Sequence, residues 1–347
     1  MHASALAFLE SFGHAFANSV ARPAPVAPER AAPYDRLVAL AKTYVEVIER
    51  WSCSVQDVIR FATLAAELVG LVERAPHVCL AMAPYLPIRS PSLRHAFAAA
   101  VLGIHLGRAI HLDVRRLLTV AKAALFMNLP SLDLQDDLVA PHAAPSPAQR
   151  ITLMRHPQLA ADLLRESPGA DLCWIEAVEQ HHECLDGSGY PAALAGDEIC
   201  LEARILKIVD VWYALIAPQR MLRSAKTPRA ALHWLLARQR QQFDARLLEA
   251  LRRTLGVYPP GTAVRLANRE TALVVGQASG MSLPRHVITI LGTHGRLLRE
   301  PVRRDTRRGS SAIREITTLD GIAPPPAFWR QLWILAETDP PRERSGQ

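Results

Sequence analysis

The sequence predicts a mainly α protein: an all-helical bundle, preceded by an N-terminal helical module and followed by a small C-terminal antiparallel β appendage. Three observations carry that prediction. From Asp35 onward apolar residues recur at three- and four-residue spacing, the spacing of a helix face turned to a core. Alternating strand patterns are scarce over residues 92–256. Short β-type runs begin only after Pro259-Pro260-Gly261, and Asn268-Arg269-Glu270, Gly280 and Gly292 separate them.

The elements follow in order. Residues 1–33 hold a terminal helix over 5–20 and an Ala/Pro-rich linker, where repeated proline prevents a packed element. Residues 34–90 form the helical module, whose second helix is opened by a capping box, Ser54-Val55-Gln56-Asp57, with Asp in the last position. Pro84, Pro87 and Pro91 mark the next boundary, and residues 91–258 form the bundle. Residues 259–347 supply the β appendage, from TAVRL, TALVVG and HVITIL, and a polar tail. In that tail RRDTRRGSS and PRERSGQ are read as solvated and frayed.

Composition narrows function. The 347 residues carry 40 Lys+Arg and 33 Asp+Glu, a formal charge of +7, and 50% of them are hydrophobic. That is ample for domain cores and too apolar for disorder. The charges are interspersed and make up only 21%, so the excess favours anionic ligands over a specific nucleic-acid surface. Lysine occurs only at Lys42, Lys122, Lys207 and Lys226, which leaves Arg as the commoner phosphate handle. Five cysteines without a CxxC pair argue against a disulfide framework and a thiolate zinc site. Charged residues interrupt the long apolar runs, so no membrane span is expected and the expected location is cytoplasmic.

Chemistry concentrates in the run His181-His182-Glu183-Cys184-Leu185-Asp186-Gly187-Ser188-Gly189-Tyr190-Pro191. Adjacent residues on a regular helix point about 100° apart, so neighbouring imidazoles meet one centre only near a helix end. The Asp-Gly-Ser-Gly turn supplies that end. His95, His156 and Asp210 are ionisable groups set in otherwise apolar helical stretches. Imidazole with carboxylate suits iron, manganese or zinc, so with His181 and His182 these residues predict a metal cradle.

These residues resemble the HD-GYP domain, a branch of the HD metal-dependent phosphohydrolases that cleaves cyclic di-GMP. Residues 181–183 and 186–191 follow the family's HHExxDGxGYP signature without departure, and Leu194, Gly196, Ile199, Leu201, Ala203-Arg204-Ile205, Ala214-Leu215 and Phe243-Asp244 continue its pattern. His156-Pro157 is similar to the family's His-Pro step, and His95 to the His that opens the domain. The resemblance covers about residues 92–256 and implies an HD-type bundle. It also implies metal ligation by His95, His156, His181, His182 and Asp210. Contact with ligand or partner is implied for Asp186, Gly187, Gly189, Tyr190 and Pro191, with Arg220 and Arg223 able to meet phosphates. The resemblance associates this turn with substrate contact and with docking to diguanylate cyclase; Gly187 and Gly189 beside Tyr190-Pro191 are expected to form an exposed docking turn with Tyr190 as aromatic anchor for that or another signalling protein, the alternative being that the glycines only turn the chain while Tyr190 packs inward.

The departure lies at the family's His-Asp pair, where Met127 and Asn128 follow Ala123-Ala124-Leu125-Phe126 and Ser131 stands for a Lys. In the family that Asp bridges two ions and that His ligates one, so an anionic bridge and an imidazole are lost together. Thioether sulfur is a poor ligand for harder ions, and Asn brings no charge. Pro91 stands where trinuclear members carry a Glu, so a third ion is not expected. The expectation is a degenerate HD-GYP domain with one divalent ion (iron, manganese or zinc) or none, and no intact catalytic set. It would bind cyclic di-GMP or a protein partner with little or no hydrolysis. The alternative is an active metal-dependent cyclic di-GMP phosphodiesterase in which His105, Asp133 or Asp136, each read as a surface residue, fills the gap.

Overall fold

The computed structural model describes residues 32–138, 145–216, 226–238, 241–276, 283–319, 322 and 324–337. The expected terminal helix over 5–20, Arg220, Arg223 and the closing PRERSGQ lie outside them.

The helical module consists of α1 (Pro33–Glu49), α2 (Val55–Arg74) and α3 (Pro76–Met82). The capping box forms as its spacing predicts: the Ser54 hydroxyl accepts from the Asp57 N–H, and the Asp57 carboxylate accepts from the Ser54 N–H at 3.2 Å. The module has no core of its own. One apolar cluster runs from Tyr34 through the bundle to Trp333. Trp51, Phe61, Phe126 and Trp174 meet within it, with Phe61 and Trp174 stacked at 5.4 Å and Trp51 edge-on to Phe126 at 4.8 Å. The Tyr44 hydroxyl donates to the Leu125 carbonyl at 2.8 Å.

The bundle comprises α4 (Pro91–Ala109), α5 (Val114–Phe126), α6 (Leu132–Asp137), α7 (Pro147–Arg165), α8 (Leu172–Glu179), α9 (Leu201–Ile216), α10 (Pro228–Arg238) and α11 (Ala245–Leu255). Helix α4 is the central element, buried on most faces and packed against α5, α9 and α11. Its small residues set the spacing. A Cβ on Gly103 would stand 2.8 Å from Val120 Cγ1, and one on Gly107 2.7 Å from Leu117 Cδ2, so only glycine admits α5 this closely. Helix α5 ends at Phe126, with Met127 as its cap.

The stretch Val114–Asp137 is long and apolar enough by composition to suit a membrane crossing, contrary to the expectation that charges break every such run. Its most apolar window is 61% buried inside the protein, which is how a core helix earns the same composition.

The appendage is a five-stranded antiparallel sheet of β1 (Ala263–Leu266), β2 (Thr271–Val274), β3 (His286–Leu291), β4 (Leu297–Asp305) and β5 (Ile313–Thr317), in the order β4-β3-β2-β1-β5. The first three strands are the three apolar runs of the sequence. The stretch RRDTRRGSS corrects the expectation of a frayed tail, because it completes β4 and the turn after it. Arg304 reaches the buried Glu270 carboxylate through Nε at 2.7 Å and Nη2 at 2.6 Å, so this basic run is tied to the sheet. Residues Pro326–Glu337 form α12 where a polar tail was expected. Phe328, Trp329, Leu332 and Trp333 are buried on one face of α12, which packs on β4 and α1.

His105 departs from its surface reading: on α4 its partly buried ring donates from Nε2 to the Pro76 carbonyl at 3.0 Å. Burial pushes the imidazole from 6.5 down to about 4. As pH falls through 6.5 the unfolded chain takes up this proton first, so stability is lost between 6.5 and about 4. Between pH 7 and 5 the loss through this ring is about 2 kcal/mol. Denaturant midpoints measured across that range should slope less in His105→Gln. An unchanged slope would mean that the ring titrates normally.

Candidate metal centre and its glycine turn

Two histidines of the site are aimed by carbonyls that helices leave unpaired. His156 lies inside α7, one residue before Pro157, which has no N–H to give to the Leu153 carbonyl four residues back. His156 Nδ1 donates to that carbonyl instead, at 2.5 Å. Helix α8 starts on an Asp171 cap and ends at Glu179, and His181 lies just beyond it, as the expectation of a helix end required. There His181 Nδ1 donates to the Val178 carbonyl at 2.6 Å. With both Nδ1 atoms committed as donors, each neutral ring has only a lone pair at Nε2.

Those two Nε2 atoms stand 3.1 Å apart. Facing lone pairs repel unless a proton or a cation lies between them. Protonation is opposed: burial pushes His181 down to about 3, with the neighbouring His156 adding to it, and burial also lowers His156. His182 completes the group, its ring 4.2 Å from that of His181 and 5.0 Å from that of His156, and burial holds it well below the ordinary range. Ligand atoms of all three lie within 4.8 Å of one another. A cation relieves what a proton cannot, so these residues fit a metal ion.

His95 and Asp210 sit beside this group as a pair. His95 Nε2 and Asp210 Oδ1 are 2.8 Å apart, joining α4 to α9. Burial acts to raise the Asp210 carboxyl, and the His95 hydrogen bond together with the surrounding imidazoles reverses that, holding it far below the carboxylate range. The predicted set is thus brought together in two parts, three imidazoles and a His-Asp pair. Among the described residues, His156, His181 and His182 alone gather as three or more ligand atoms.

Met127 and Asn128 are both buried at the end of α5. The Asn128 side-chain oxygen accepts from Gln135 Nε2 at 3.1 Å, and the same Gln135 nitrogen donates to Ser131 Oγ at 2.7 Å. Ser131 in turn donates to the Asn128 carbonyl at 3.1 Å. Asn128, Ser131 and Gln135 thus form a closed neutral network, and the turn carrying it packs on α7, the helix of His156. None of the three neighbours fills the gap. His105 is turned to Pro76, Asp136 accepts from the Ser92 N–H at 2.8 Å at the start of α4, and Asp133 is exposed.

The glycine turn is knotted to itself. Glu183 accepts from the N–H groups of Ala192 at 2.7 Å and Leu194 at 3.1 Å, and Asp186 accepts from the N–H and hydroxyl of Ser188. Asp186, Ser188 and Pro191 are exposed. Of the two readings of Tyr190 the structure has the inward one: its ring lies over His182 at 4.8 Å and 22°. The ring helps to close the site, and its apolar bulk explains the turn inward. Lys207, which the sequence reading passed over, donates to the His182 carbonyl at 3.0 Å. Its signal was available, since Lys207 stands three residues before Asp210 on the same helix face.

Residues 82–247 match the family described as HD domain. Over 221 residues the chain is 24% identical to a cyclic di-GMP phosphodiesterase of Pseudomonas aeruginosa, covering 64% of this chain and 53% of that protein. Over 102 residues it is 40% identical to the cyclic di-GMP phosphodiesterase response regulator RpfG of Xanthomonas campestris pv. campestris, covering 29% of this chain and 27% of that one. The chain spans about half the length of these curated relatives, or less. Among solved structures, an HDG"Y"P protein from Bdellovibrio bacteriovorus shares the fold at a TM-score of 0.56 and 16% identity, over 65% of this chain and 73% of that one.

Gly189 tests the turn. A Cβ there would stand 2.4 Å from both Glu183 Cα and Cys184 N, backbone that cannot yield. Gly189→Ala should cost about 1–3 kcal/mol in chemical unfolding and weaken metal uptake, while Gly276→Ala, whose Cβ meets nothing within 4 Å, should do neither. Equal behaviour of the two variants would remove the turn from the site.

Proposed function

We propose that the chain, whose residues 82–247 match the family described as HD domain, is a degenerate, cytoplasmic member of the HD-GYP family. It binds cyclic di-GMP or a signalling partner and hydrolyses the nucleotide slowly or not at all. One observation carries this reading: the neutral network of Asn128, Ser131 and Gln135 beside buried Met127, at the positions where the resemblance calls for a His-Asp pair. A phosphodiester hydrolase of the two-metal kind needs charge at both the attacking and leaving oxygens. Loss of such stabilisation costs on the order of a hundredfold or more in rate.

What the chain keeps suits binding. His156, His181 and His182 would hold a single iron, manganese or zinc ion, with Asp210 beside them through its pairing with His95. Such an ion supplies fixed positive charge for a phosphodiester oxygen. Tyr190 over His182 shields one side of the cradle from water, and Lys207 holds the His182 backbone in register. The exposed rim of the turn, Asp186, Ser188 and Pro191, faces outward for a protein partner such as a diguanylate cyclase.

Metal analysis and nucleotide turnover on one sample of the purified chain test this. The expected result is no more than one ion per chain, saturable binding of cyclic di-GMP, and negligible release of linear product. Two ions per chain with brisk, metal-dependent turnover would instead establish the active phosphodiesterase. The double variant Met127→His with Asn128→Asp should raise the metal content above that of the parent.

A further inference from the structure

We propose that the outer face of the helical module is a two-fold interface on which a second copy of this chain docks, α1 of each copy lying over α2 of the other. A groove of about 510 Å³ runs between α1 and α2 on that face, and no residue of the metal centre lines it. It is lined by buried Leu40 and Leu64 and half-buried Val47. Ile59 stands on its α2 side 37% exposed, and Val55, one turn earlier on the same helix, is 50% exposed. Large apolar side chains one turn apart on an open helix face, beside an apolar groove, mark a protein contact.

The charges select the partner. Glu46 of α1 and Arg60 of α2 line the groove, both exposed, and among the described residues neither enters an ion pair. Only residues 50–54 join the two helices, so they run antiparallel. Glu46 lies near the end of α1, which closes at Glu49, and Arg60 lies near the start of α2, which opens at Val55. A rise of about 1.5 Å per residue sets the two within about 3 Å of one height. A two-fold axis along the groove keeps those heights while laying α1 of one copy over α2 of the other. Glu46 of each copy then meets Arg60 of its partner, twice per dimer, and Ile59 of each turns to the groove of the other. A polyanion would meet Glu46 and Glu67 as well as the arginines, so a face of both signs fits itself better than a ligand of one sign.

The size of the face sets the strength. Helix α1 has 17 residues, about 25 Å of length. A face of that length and two helices wide stands at the low end of specific interfaces, where association is reversible. On their other sides α1 and α2 turn Tyr44 and Phe61 onto the end of α5, so the seam between copies backs on the shared interior. This inference does not depend on whether the domain hydrolyses cyclic di-GMP.

Sedimentation equilibrium of the full chain from about 1 to 100 μM tests the interface, and the parent should pass from monomer to dimer within that range. Glu46→Arg and Arg60→Glu each set like charges opposite one another at both contacts. Either should weaken the dimer by more than about tenfold, with an unchanged circular dichroism spectrum. An equimolar mixture of the two variants should regain the parent's dimer, because each contact across a mixed pair joins opposite charges again. A parent that stays monomeric throughout would overturn the proposal without any variant. So would single variants that dimerise like the parent, or a mixture that stays monomeric while both components are folded.

Discussion

Two imidazole lone pairs held 3.1 Å apart in a buried site are the constraint around which this domain is arranged. Neither ring is free to turn away, because each Nδ1–H is anchored to a backbone carbonyl that its helix leaves unpaired. Neither is readily protonated, because burial opposes the charge. The fold thus maintains an electrostatic deficit that only a cation removes. The elements around it serve that deficit: Pro157 frees one carbonyl, the end of α8 frees the other, and Tyr190 and Lys207 hold His182 beside them.

At the end of α5 the buried side chains are neutral. Asn128, Ser131 and Gln135 satisfy one another, so nothing in that corner calls for a second ion. Met127 fills its position as core, fully buried at the close of α5.

Much of this was legible in the sequence because it rests on local rules. The adjacent histidines needed a helix end and found one, and the Ser54-Asp57 box formed from its spacing alone. The helical texture of the bundle and the first three strands were equally plain, since each buries a continuous apolar pattern. What escaped reading depends on partners distant in the chain. Tyr190 turned inward because His182 offers a flat face, a fact that the exposed glycines around it do not reveal. The basic run after Val302 looks like a solvated tail until Glu270 is placed opposite Arg304. Helix α12 is short and enclosed by prolines and charges, and its buried face makes sense only against β4. The His95–Asp210 pair likewise spans 115 residues of sequence and becomes visible only when α4 lies on α9.

The shared core has a bearing on how the chain can be divided. The prolines near residue 90 look like the seam of a detachable module, yet Tyr44 holds the last turn of α5, and Trp51 and Phe61 pack on the rings of Phe126 and Trp174. Excising the first helices would strip the interior wall from the segment that ends in Met127. The punctuation of the sequence and the seams of the solid are different things in this protein, and its N-terminal helices are better regarded as masonry than as an attached antenna.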